Sequence, residues 1–180
     1  AVNVQASVST STESPDKLAQ RVATAFLTDV SKNQAAYRKD IKLLYKKADE
    51  IVVPYFDMAY TSQSVLGTNW KTATADQKKR FQSGFKALLM RTYGNAILNY
   101  YDASVKWFPA QQTDKPDRVT IKSEVTPKGE SRPVAIIYSL RNNNGWKVYD
   151  MNISGVSLVT SYRGSYATEI KKNGLDALLA

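Results

Sequence analysis

Between Trp146 and Tyr162 the hydrophobic period of the chain changes from two to about 3.6 residues. In WKVYDMNISGVSLVTSY, alternation places Trp146, Val148 and Asp150 on one face of a strand and Lys147, Tyr149 and Met151 on the other. Asn152, Ser154 and Gly155 then break the strand. From there Val156, Val159, Tyr162, Tyr166 and Ile170 recur at helical steps of three and four. A strand that gives way to a helix within so few residues sends that helix back over the sheet the strand completes. The space between helix and sheet is the expected working part.

The segments before this stretch divide into helices, then strands. Residues 1–13 are small, polar and patternless, and are expected to form a flexible tail ahead of a single domain over 14–180. Ser14-Pro15-Asp16 is a helix start, followed by a stripe of Leu18, Val22, Ala25, Phe26 and Val30. A second helix is expected after Asn33, with Tyr37, Ile41, Leu44, Ala48 and Ile51 inward, ending before Pro54. A short helix spans 55–66, and Gly67 stops it. Thr74 and Gln77 form a capping box that opens the longest helix, with Phe81, Phe85, Leu88, Leu89, Ala96, Ile97 and Tyr100 on its apolar face. Gly84 and Gly94 inside that helix imply a close neighbour or a bend.

Alternation then returns at Val105–Pro109, Val119–Val125 and Val134–Leu140. Turns fall at Pro127-Lys128-Gly129 and Asn144-Gly145. The expected fold is α+β: helices on one face of a curved, four-stranded antiparallel sheet, closed by an amphipathic turn at Leu175, Leu178 and Leu179.

The chain has no histidine and no cysteine. That removes the usual general base, the usual zinc ligands and any thiol nucleophile. No metal site is expected. The net charge of +9 is uneven, with Lys71, Lys78, Lys79, Arg80, Lys86 and Arg91 facing only Asp76 between 71 and 91. Such a surface suits an anionic membrane, an acidic protein or nucleic acid, although a solvated helix face reads the same way.

Three chemistries fit these residues. An enzyme acting on a small apolar substrate would use Asp150 as a base with Tyr149 and Tyr162 as donors; the plainer reading is that Asp150 caps the turn near Ser154 and Gly155. Nucleic-acid binding would use the tyrosines as stacking platforms, but Tyr93, Tyr100, Tyr138 and Tyr166 fall on apolar faces, so no nucleic-acid partner is expected. A basic adaptor with a solid core is also open. The third chemistry is an apolar ligand held among large, adaptable side chains.

Several stretches together resemble the MlaC, or toluene-tolerance, family of periplasmic phospholipid-binding proteins. They are Val53-Pro54-Tyr55-Phe56-Asp57-Met58, Val65-Leu66-Gly67 with Trp70-Lys71, Phe81 and Phe85 leading to Thr92-Tyr93, and Trp146–Met151 running into Gly155–Val159 and Tyr162-Arg163. The resemblance implies an NTF2-like body with an internal lipid cavity, tails inside and headgroup exposed. It implies a monomeric, non-catalytic carrier in the periplasm whose signal peptide has been removed, with phospholipid as cargo and no cofactor. The implied partners are an inner-membrane ABC transporter complex with its substrate-binding ring and an outer-membrane lipoprotein–porin complex, and the implied role is outer-membrane lipid asymmetry. Relatives are expected to extend beyond the position of Ala180, and the first dozen residues lack a family counterpart. The tails are expected between the helix at 76–101, the helix from Val156 and the sheet, lined by Phe81, Phe85, Leu89, Tyr93, Tyr138, Met151, Val159 and Tyr162.

Overall fold

A computed structural model describes residues 13–180. The tail expected over 1–13 lies, apart from Glu13, outside the described residues. The helices are α1 (Pro15–Lys39), α2 (Ile41–Ile51), α3 (Met58–Leu66), α4 (Thr68–Thr72), α5 (Ala75–Tyr100), α6 (Leu158–Asn173) and α7 (Leu175–Leu179). The strands are β1 (Ser104–Trp107), β2 (Gln111–Gln112), β3 (Arg118–Thr126), β4 (Val134–Asn142), β5 (Trp146–Ile153) and β6 (Val156–Ser157). The sheet is antiparallel, in the order β1-β3-β4-β5-β6, with β2 also on β3. It has six strands rather than the expected four, because β2 and β6 are two-residue strands too short to show a period. No helix among the described residues is long and apolar enough to cross a membrane.

Three helix boundaries differ from the sequence expectation. The short helix expected over 55–66 starts at Met58, after a separate 3-10 turn at Val53–Tyr55. Asn33 does not end α1; its side chain donates back to the Asp29 carbonyl at 3.0 Å and the helix runs to Lys39. The break comes at Asp40, whose carboxylate accepts from the Lys42 amide and caps α2. The helix expected from Val156 begins instead at Leu158. Ser154 and Gly155 both take positive φ, +52° and +88°, and this tight turn returns Val156-Ser157 to pair with Asn152-Ile153 first. The Thr74–Gln77 capping box forms with both reciprocal hydrogen bonds.

Among the described residues the core is divided into three buried clusters. One joins α1 to the sheet through Leu18, Val22, Val119, Ile121, Leu140 and Val148. A second joins α1, α2 and α5 through Phe26, Val30, Tyr37, Leu44 and Leu98. The third joins α3, α5 and α6 through Val65, Leu66, Phe81, Phe85 and Val159, with Leu175, Leu178 and Leu179 of α7 against it. A solid domain of this size usually has one contiguous core.

The two glycines of α5 differ. A Cβ built at Gly94 would sit 2.9 Å from Tyr45 Cε1 and 3.8 Å from Ile41 Cδ1, so this glycine lets α2 approach closely. Nothing lies within 4 Å of a Cβ at Gly84. Gly94→Ala is therefore expected to destabilise by about 1–2 kcal/mol, overpacking outweighing propensity, whereas Gly84→Ala stabilises by about 0.5–1 kcal/mol. Urea unfolding midpoints of the two variants should move in opposite directions.

Candidate functional site

The site forms where β5 meets the third cluster. In strict alternation Val148 and Met151 point to opposite faces. The structure places them on the same face, because the register shifts beside Tyr149: Leu140 pairs with Val148, but Ser139 pairs with Asp150 and Tyr138 with Met151. The bulge completes a cross-strand row of Ile121, Tyr138 and Met151 on the helix-facing side. It also leaves Tyr149 and Asp150 at the wall where α3 and α6 arrive.

Each arrival is tied to β5 by hydrogen bonds. The Asp57 amide donates to the Val148 carbonyl at 2.8 Å, and Asp57 then caps α3 by accepting from the Tyr60 amide. Thr61 Oγ1 donates to the Tyr149 carbonyl at 2.7 Å. Asp150 holds α6: Oδ1 accepts from the Met151 amide at 2.8 Å and the Val159 amide at 3.1 Å, and Oδ2 accepts from Ser157 Oγ at 2.5 Å. Both carboxylate oxygens are thus occupied in fixing the start of the helix. This is the capping role, with Ser157 and Val159 beyond the expected Ser154–Gly155 turn and Met151 before it.

Between these ties lies a pocket lined by Phe56, Met58, Thr61, Phe85, Leu89, Tyr149, Asp150, Met151, Leu158 and Val159. The space in it wide enough for water is about 20 Å³, room for about one molecule. It is an apolar seam, nearly closed.

Four residues of the expected lining meet at this seam: Phe85, Leu89, Met151 and Val159. The other four lie around it. Phe81 is buried outside the seam, 5.6 Å from the Phe85 ring and edge-on to Tyr166. Tyr162 stands edge-on to Phe85 at 5.3 Å, and Tyr93 lies beside Tyr162. Tyr138 stacks on Trp107 at 5.7 Å on the sheet. Its surroundings are dense enough that burial raises the pKa of its phenol, yet it keeps accessible surface. Phe56, Met58, Thr61, Tyr149, Asp150 and Leu158 are outside the expected lining; Tyr149 reaches the wall through the bulge, a feature of strand pairing rather than of one strand's pattern.

Burial is the main reason that the Tyr166 phenol is pushed up to about 12, with Tyr162 beside it adding to the shift. Burial likewise raises Tyr93, with Tyr162 contributing. A phenol whose folded pKa exceeds its ordinary 10.0 holds its proton more tightly when folded. Its stabilisation is whole below about pH 10 and is lost as pH rises toward 12. Absorbance at 295 nm is expected to show a late-titrating group of tyrosines, ionising together with loss of helical circular dichroism.

Among the cations between 71 and 91, Lys78 lies 5.0 Å from the Trp70 ring centroid and Lys86 pairs with Asp49 at 2.9 Å. Lys71, Lys79, Arg80 and Arg91 are exposed.

Residues 20–180 match the sequence pattern of the MlaC protein family. The chain belongs to the MlaC family. It is 30% identical over 167 residues to the toluene tolerance protein ttg2D of Pseudomonas putida, covering 91% of this chain and 76% of that one. It is 25% identical over 169 residues to the intermembrane phospholipid transport system binding protein MlaC of Haemophilus influenzae, covering 92% and 79%. The fold is that of the phospholipid-binding protein from Ralstonia solanacearum, solved in complex with a phospholipid: TM-score 0.86, 31% identity, 93% of each chain. The α+β architecture of this MlaC-family chain, with helices over a curved antiparallel sheet, is thus shared with a lipid-bound relative.

Proposed function

We propose that this chain is a soluble periplasmic phospholipid carrier, shuttling lipid between an inner-membrane ABC transporter complex and an outer-membrane lipoprotein–porin complex and so maintaining outer-membrane lipid asymmetry. The observation that carries the proposal is the shared fold with a protein solved with phospholipid bound. The divided core and the apolar seam support it. The tails lie between α5, α6 and the sheet, against Phe81, Phe85, Leu89, Tyr93, Tyr138, Met151, Val159 and Tyr162, with the headgroup outside. The seam is too narrow for a chain as it stands, so loading parts α5 and α6 from β5. No catalytic step is assigned, because Asp150 is engaged in anchoring α6.

Energetics favour hand-off by collision. Burying about 30 methylenes at about 0.8 kcal/mol each gives roughly 24 kcal/mol relative to water, beyond the roughly 18–21 kcal/mol limit of non-covalent affinity. A lipid drawn from a bilayer was already out of water, so the net preference is small, while escape through water is slow. The test loads the protein with fluorescent phospholipid and mixes it with bare vesicles or with vesicles carrying the transporter complex. Release at least tenfold faster to the latter is expected; equal rates would overturn the shuttle.

A further inference from the structure

The face of the sheet turned away from the α1 core carries a row of like charges. Arg118 on β3 pairs in register with Arg141 on β4, and Arg141 pairs with Lys147 on β5. Cross-strand partners share a face, and this face is opposite the buried Val119, Leu140 and Val148. Like charges directly opposite one another destabilise a sheet. Two carboxylates offset them in part. Asp57 Oδ2 is 3.6 Å from Arg141 Nη2, while its other oxygen caps α3. Asp117 is 3.9 Å from Arg118 Nε and half exposed.

The two arginines are held in place. Arg118 Nη2 donates to the Tyr60 hydroxyl at 2.8 Å, and its guanidinium lies 5.4 Å from the ring centroids of both Tyr60 and Tyr149. Arg141 lies over the same Tyr60 ring at 3.9 Å. Their side chains are only 21% and 19% exposed. Arg118 Nε is buried with no hydrogen-bond partner among the described residues.

We infer that the row Arg118–Arg141–Lys147 is a docking surface for a carboxylate-bearing, acidic patch on a protein partner. Planar guanidiniums fixed on tyrosine rings present a rigid fork suited to a docked carboxylate. A fluid membrane surface needs no such fixed geometry, and exposed cations on α5 already offer flexible charge. Arg118 meets the pocket wall at the Tyr149 ring, so the vesicle and phosphate arms of the test separate a protein carboxylate from a lipid headgroup.

The test titrates the full chain with hexaglutamate, inorganic phosphate or phosphatidylglycerol vesicles at physiological ionic strength, following the Arg118 and Arg141 Nε–Hε resonances. Hexaglutamate is expected to shift both. Arg141→Gln and Lys147→Glu should each weaken its binding at least tenfold, and the Lys79→Gln/Arg80→Gln double variant less than twofold. Lys147→Glu should also melt higher than the parent, since it breaks the row with a carboxylate, so the test survives if Arg141→Gln misfolds. Equal weakening in the α5 variant would overturn the inference, leaving only net charge. Shifts with vesicles alone, or equal shifts with phosphate at the same concentration, would also overturn it.

Discussion

Leu89→Glu is expected to leave the protein folded and nearly free of lipid. Leu89 is half-buried on the seam, opposite Met151 and beside Phe85. In the unloaded protein its carboxylate keeps access to water, so stability should fall by no more than about 1–2 kcal/mol. With tails in the seam, that charge would be pressed against hydrocarbon without a partner, at several kcal/mol. A penalty of about 3 kcal/mol weakens binding roughly 150-fold. Lipid phosphorus per protein should drop close to zero while far-UV circular dichroism is unchanged, and Leu89→Met should retain its lipid. Unchanged lipid content in Leu89→Glu would remove this residue from the tail path. The same charge at Val159 is not diagnostic, because Val159 is only 5% exposed and belongs to the third core cluster; there the fold itself would fail.

Asp150→Ala is expected to cause the largest loss of stability from a single polar change. It deletes the acceptor for two backbone amides and one hydroxyl at the start of α6. Hydrogen bonds to a charged group contribute about 1.5–3 kcal/mol each, and the three share one carboxylate, so about 3 kcal/mol is the expected total. For a chain of this size that lowers the melting temperature by roughly 6–12 °C. Asp150→Asn keeps one acceptor oxygen and should lose less. A catalytic Asp150 would give the opposite signature: a variant that melts like the parent. Thermal unfolding of both variants separates the two roles.

The chain shows its local rules more clearly than its interior. Thr74 with Gln77, Asn144-Gly145 and the stripe from Val159 to Ile170 act through neighbours in sequence, and each forms as read. Asn33 misled because an asparagine can end a helix or bond back within one; Asp40, seven residues later, is the actual break. That Met151 shares a face with Val148 is hidden in the sequence, because a bulge is a relation between two strands and β5 alone shows only alternation. The candidate site was the least legible part. Phe81 and Leu89 sit on one apolar stripe of α5, yet one is sealed in a cluster and the other stands at the seam. Hydrophobic pattern shows which side chains turn inward; whether they meet one another or an open space depends on how far apart the elements sit.

Native mass spectrometry of the protein as purified, followed by lipid extraction, tests the carrier claim most directly. The expected result is an added mass matching one or two phospholipids, recovered as intact lipid on extraction. A bare polypeptide mass that stays unchanged after incubation with liposomes would contradict it.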